Sequence, residues 1–103
     1  MNLSDKFTDI FKRKQDKYIA TLHIECGAIT LHGLPYKDIR HKKIKIPGDC
    51  NLSQVFQRID DISKRIIEKK DPNPETGKTI IYLESLLSPE KEEIQTNYFI
   101  EGP

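Results

Sequence analysis

The sequence predicts an α+β fold: a mostly antiparallel sheet of about five strands, one long helix packed across it, and a short helix at the N-terminus. Three observations carry this. Residues 51–70, NLSQVFQRIDDISKRIIEKK, place Leu52, Val55, Phe56, Ile59, Ile62, Ile66 and Ile67 at three- and four-residue spacing, one stripe of an α-helix. Residues 18–34 and 39–46 alternate apolar and polar side chains, the period of half-buried strands. Two further segments rich in β-branched and aromatic residues follow the helix.

The elements follow in chain order. Leu3, Phe7, Ile10 and Phe11 share one face of a short amphipathic helix within residues 1–15. Asn2 or Ser4 caps it, and Lys12, Arg13 and Lys14 lie at the end where the dipole favours cations. That face is expected to pack on the domain's own core or to meet a partner. Tyr18 to Leu34 reads as a β-hairpin with Cys26-Gly27 as its two-residue loop. In that register Leu22 faces Leu31, Ile24 faces Ile29 and His23 faces Thr30. Leu22, Leu31, Ile24, Ile29 and Ala20 then share a buried face, and Thr21, His23, Glu25, Thr30 and His32 a wet one.

A turn over residues 33–38 leads to a third strand, roughly Ile39 to Ile46, whose many lysines suit a sheet edge. The main helix then starts at Asn51, an N-cap, with Gln54 in the capping-box position. Asp60 with Lys64 and Asp61 with Arg65 are spaced to pair on its wet face. Residues 71–78 hold two prolines and a glycine and read as a loop. Thr79 to Leu86 is a fourth strand, Ser88-Pro89-Glu90 starts a short acidic helical turn, and Ile94 to Ile100 is a fifth strand. Hairpin, helix and further strands together resemble a ubiquitin-like roll in architecture, and the 103 residues read as one domain, with 16–103 forming the sheet and main helix.

Charge restricts the function. The net charge is +1, but residues 1–50 carry ten Lys/Arg against six Asp/Glu, and residues 51–103 seven against ten. This polarity favours a charged partner or self-association into a homo-oligomer. No apolar run reaches membrane-spanning length and the N-terminus lacks the apolar stretch of a secretory signal, so a cytoplasmic location is expected.

No catalytic constellation emerges. The run ending in Gly77-Lys78-Thr79 resembles a phosphate-binding loop, but Pro72 stands where that motif needs glycine, and helix and strand come in the wrong order. His23, His32 and Glu25 share the expected wet face without the ligand number of a metal site. Cys26 and Cys50 lie in no C-x-x-C pair; Cys50, just ahead of the main helix, is the one thiol placed to be activated. No cofactor is implied.

The expectation is a small non-enzymatic binding or regulatory protein acting through contact with another, acidic, protein. Leu34 and Tyr36 put bulk in a turn where small polar residues are usual, and Lys37, Arg40, Lys42 and Lys43 supply a basic rim. The alternatives are nucleic-acid binding through the basic strand at residues 40–45, and a small enzyme with a reactive cysteine.

Overall fold

The computed structural model describes residues 16–103; the expected N-terminal helix lies outside them. Four strands and one helix follow in the order β1 (Lys17–Ile29), β2 (Pro35–Pro47), α1 (Leu52–Lys69), β3 (Thr79–Leu87) and β4 (Phe99–Gly102). The strands form one sheet in the order β2-β1-β3-β4, with every neighbouring pair antiparallel. The fold is therefore α+β, with four strands among the described residues in place of the expected five. The ubiquitin-like roll is not confirmed.

The missing strand comes from the hairpin. β1 runs unbroken through Cys26 and Gly27, so those residues are not its turn. The turn lies at residues 30–34. There Gly33 N–H donates to Thr30 O, Thr30 N–H to Leu34 O, and Leu34 N–H to Thr30 Oγ1. Gly33 has φ +82°, the left-handed conformation that glycine adopts at least cost. β1 consequently pairs with β2: Leu22 faces Lys42 and His23 faces His41. Leu22 is fully buried, but Leu31, expected beside it, stands wholly in solvent.

Gly27 is small for another reason. The chain leaving α1 meets β1 there in an isolated antiparallel bridge, and Gly27 N–H donates to Asp71 O at 2.7 Å. A Cβ on Gly27 would collide with the Pro72 carbonyl oxygen. In mid-strand, glycine marks close approach of a second backbone.

The helix forms as its sequence directs. Asn51 Oδ1 accepts from Gln54 N–H, and Gln54 Oε1 accepts from Asn51 N–H, closing the capping box. Asp60 pairs with Lys64 at 2.9 Å. Asp61 takes the Gln57 amide at 3.0 Å, and no ion pair joins it to Arg65. Val55, Ile59 and Ser63 form the buried line, and Ile62 is only half-buried beside it.

Ala20, Leu22, Ile24 and Cys26 of β1, Ile44 and Ile46 of β2, and Ile81, Leu83 and Leu86 of β3 meet this line and complete the core. Burying each large aliphatic side chain contributes roughly 1.5–3 kcal/mol. The spacing of Leu83 and Leu86 departs from strict alternation. A register shift between Thr21 and Leu22 leaves Glu84 without a partner on β1, a β-bulge that returns Leu86 to the core side.

Ser88 to Glu92 makes a tight turn, not a helical one: Ser88 N–H donates to Glu92 O, and Ser88 Oγ accepts from Glu92 N–H. Residues 94–98 follow β3 irregularly, and regular pairing begins only at Phe99. Tyr98 is fastened to the helix instead, its hydroxyl donating to Asp60 Oδ1 at 2.8 Å. Among the described residues no helix is long and apolar enough to cross a membrane.

Candidate functional site: an edge strand, a basic groove and a histidine cluster

β2 is an edge strand, as its lysines suggest, and its outer side pairs with no strand among the described residues. Alternation divides its side chains. Tyr36, Asp38, Arg40, Lys42, Ile44 and Ile46 belong to the helix-side set, and Lys37, Ile39, His41, Lys43 and Lys45 to the opposite set. The six residues expected to bind a partner are thus split. Tyr36, Arg40 and Lys42 fall in one set and Lys37 and Lys43 in the other, with Leu34 at the turn. All six are exposed, Leu34 by 65% and Tyr36 by 45%. Ile29 and Leu31 extend the apolar surface at this end. Arg40 is engaged locally, its Nε donating to Asp38 Oδ2 at 2.7 Å.

Between β2 and α1 runs a groove that the sequence did not reveal. Two adjoining clefts of about 220 and 250 Å³ form it. Ile44, Ile62 and Ile66 provide apolar lining. Lys42, Arg58, Arg65 and Lys69 surround it against a single carboxylate, Asp61. Among the described residues none of these four cations is ion-paired. Their signal lay in the helix: Arg58, Arg65 and Lys69 recur at helical spacing beside the apolar stripe, on the side that faces the basic strand.

The sheet face away from the helix carries a second grouping. Pairing puts His41, His23, Tyr82 and Phe99 in one row across all four strands. The His23 ring stacks on Tyr82, with centroids 4.5 Å apart and planes at 20°. Its Nδ1 lies 3.2 Å from His41 Nε2, and its Nε2 lies 3.3 Å from Glu25 Oε1. Glu84, standing out at the bulge, brings Oε1 to 3.8 Å from His41 Nε2. One ligand atom from each of His23, His41 and Glu84 lies within 4.8 Å of the others. The expected His23–His32 neighbourhood does not form, because His32 lies in the turn. His41 takes its place through the corrected register.

The cysteines lie apart from both regions. Cys26 is buried in the core and its thiol is pushed up, first by burial and then by the charge of Asp38, the reverse of what a thiolate nucleophile needs. Cys50 is half-buried ahead of the helix cap. The 71–78 segment is a closed loop: Asn73 N–H donates to Lys78 O, and buried Asn73 Oδ1 accepts from Glu75 N–H. The amides of Asn73, Glu75, Thr76, Gly77 and Lys78 are all bonded within the loop, which leaves none of them free to hold an anion. Compared with protein-family models, curated proteins and solved structures, the chain finds no match in any of the three.

Proposed function

We propose that this chain is a non-enzymatic protein-binding domain that takes an extended acidic segment of a partner protein along the free edge of β2. The basic groove beside that edge carries the reading. An unpaired edge offers backbone donors and acceptors to an added strand, and pockets beside it select side chains. Here the neighbouring groove offers apolar lining for aliphatic side chains and four unpaired cations for carboxylates. Leu34 and Tyr36 extend the contact at the hairpin end, and Lys37, Arg40, Lys42 and Lys43 line its course. The same lysines repel a second copy of β2, so the edge favours an acidic strand over self-pairing into a homo-oligomer.

The second reading, single-stranded nucleic acid, gains one observation. The fold sets Tyr82 and Phe99 in a row with two histidines, next to the strand bearing Lys43 and Lys45. Aromatic side chains beside a basic strip can stack bases. Against it, His23 already occupies one side of the Tyr82 ring. Glu25, Glu84 and Glu101 share that face and oppose phosphate.

The test is an NMR titration of the full chain with two probes: a peptide alternating Glu and Val, and a thymidine oligonucleotide. The peptide is expected to shift amides of residues 36–46 and 58–69, more weakly at higher salt. Lys42→Glu with Arg65→Glu should weaken it at least about tenfold, as charge reversal against an acidic partner demands. Tyr36→Ala should weaken it with the melting temperature nearly unchanged. Absence of peptide shifts at β2 refutes the proposal; oligonucleotide shifts at Tyr82 and Phe99 instead establish the second reading.

A further inference from the structure

The two histidines on the open sheet face are held more tightly than exposed histidines need to be. His23 is fixed on one side by the Tyr82 ring and at Nε2 by Glu25. A carboxylate accepts only from a protonated nitrogen, so Glu25 puts the His23 proton on Nε2 and leaves Nδ1 a bare lone pair. That nitrogen lies 3.2 Å from His41 Nε2. Two imidazole nitrogens bound to one tetrahedral zinc lie about 3.3 Å apart, given metal–nitrogen bonds of about 2.0–2.1 Å. The spacing is therefore that of two ligands on one ion. The carboxylate contact at the far nitrogen of a ligating histidine is the usual outer support of such sites, fixing the ring and raising its basicity.

The third ligand comes from the backbone irregularity. Glu84 is the bulged residue of β3, without a partner on β1, and its carboxylate reaches across β1 to His41 on β2. Bulges re-aim side chains next to functional sites. We infer that His23 Nδ1, His41 Nε2 and Glu84 Oε1 together bind a divalent transition-metal ion of the zinc class, with Glu25 as the support of His23 and the fourth position left to water. In the metal-free chain His41 Nε2–H donates to His23 Nδ1. On binding, His41 shifts its proton from Nε2 to its own Nδ1, Nε2 takes the ion, and no oxidation or net proton release is required. Two nitrogens and one carboxylate suit zinc, cobalt or nickel, and not calcium or magnesium, which favour all-oxygen shells. The site lies on the opposite face of the sheet from the basic groove, so it stands or falls independently of acidic-segment binding.

Cobalt(II) is the probe, added to the untagged full chain with its cysteines reduced, and followed by visible absorption and calorimetry. One ion per chain is expected, with the intense d–d bands of four-coordination and no sulfur-to-cobalt charge transfer. His23→Ala and His41→Ala should each weaken binding at least about 100-fold, and Glu84→Gln about tenfold. Glu25→Gln should weaken it about 10- to 100-fold without removing a ligand. His32→Ala and Cys50→Ser should leave it unchanged. Circular dichroism and melting in chelator verify that each variant is folded. A folded chain that takes up no cobalt overturns the assignment. So does binding that survives both His23→Ala and His41→Ala, or that is lost in Cys50→Ser.

Discussion

Replacing Gly27 by alanine tests how the central strand is built. The chain leaving α1 bridges to β1 at this residue, tied by the 2.7 Å bond from Gly27 N–H to Asp71 O. An added Cβ overlaps the Pro72 carbonyl oxygen, and it also meets Pro72 C at 3.0 Å and Pro74 Cδ at 3.4 Å. The obstructing carbonyl is backbone, so the loop must shift and the Gly27–Asp71 bond must stretch. Overpacking of this kind costs about 1–3 kcal/mol, and a lost backbone bond about 1 kcal/mol. The reduced entropy of the unfolded alanine chain returns about 0.4–1 kcal/mol. The net loss is about 2 kcal/mol, or about 10 °C in melting temperature for a domain of this size. Urea unfolding followed by far-ultraviolet circular dichroism measures it. Gly33→Ala is the comparison: Gly33 has φ +82° in the true turn and nothing within 4 Å of an added Cβ. It should lose only the roughly 1–2 kcal/mol of left-handed strain, with no steric term. If Gly27→Ala is as stable as the parent, the strand does not pass under the loop and the reasoning fails.

Two further outcomes follow from the corrected register and from the Tyr98 tether. Leu22→Ala should cost about 2–5 kcal/mol as a core truncation, and Leu31→Ala no more than about 0.5 kcal/mol as a surface change; equal losses in urea unfolding would restore the shorter hairpin. Tyr98→Phe should cost about 1 kcal/mol at neutral pH by removing the bond to Asp60. Lys64 first, and Tyr98 second, hold the Asp60 carboxyl below its usual range. That stabilisation is present above the unfolded carboxylate value and is lost as pH falls through the lowered folded one, so the cost of the variant should shrink in acid. Burial first, and Asp60 besides, push the Tyr98 phenol up to about 12 from 10.0. The parent's stability from this group is complete below pH 10.0 and lost as pH rises through about 12, a loss the variant should not show. Urea midpoints across the pH range check both limbs.

Local signals were legible wherever their causes are local. The capping box of Asn51 and Gln54, the helical stripe through Val55 and Ile59, and the alternation ending in Ile44 and Ile46 each arise within a few residues. They could be read directly, as could the edge position of the lysine-rich strand. Leu34 and Tyr36 are exposed, but Tyr36 lies in β2 and not in the turn where its sequence neighbours put it.

Only the tertiary structure decided the strand pairing, and both proposed sites depend on it. Cys26-Gly27 resembles a turn in sequence, but Gly27 is small because Pro72, far along the chain, passes over it. Moving the turn to residues 30–34 exchanges the partner of every residue in β1, bringing His41 to His23 in place of Thr30. Only pairing with β1 reveals the bulge in β3 and shows that Glu84 is the residue displaced toward His41. The basic groove likewise forms only when α1 settles beside β2 and joins two separate sets of cations. The alternation of a strand determines which residues share a face, but that period is the same for every register. The choice among registers rests on contacts between segments distant in the chain.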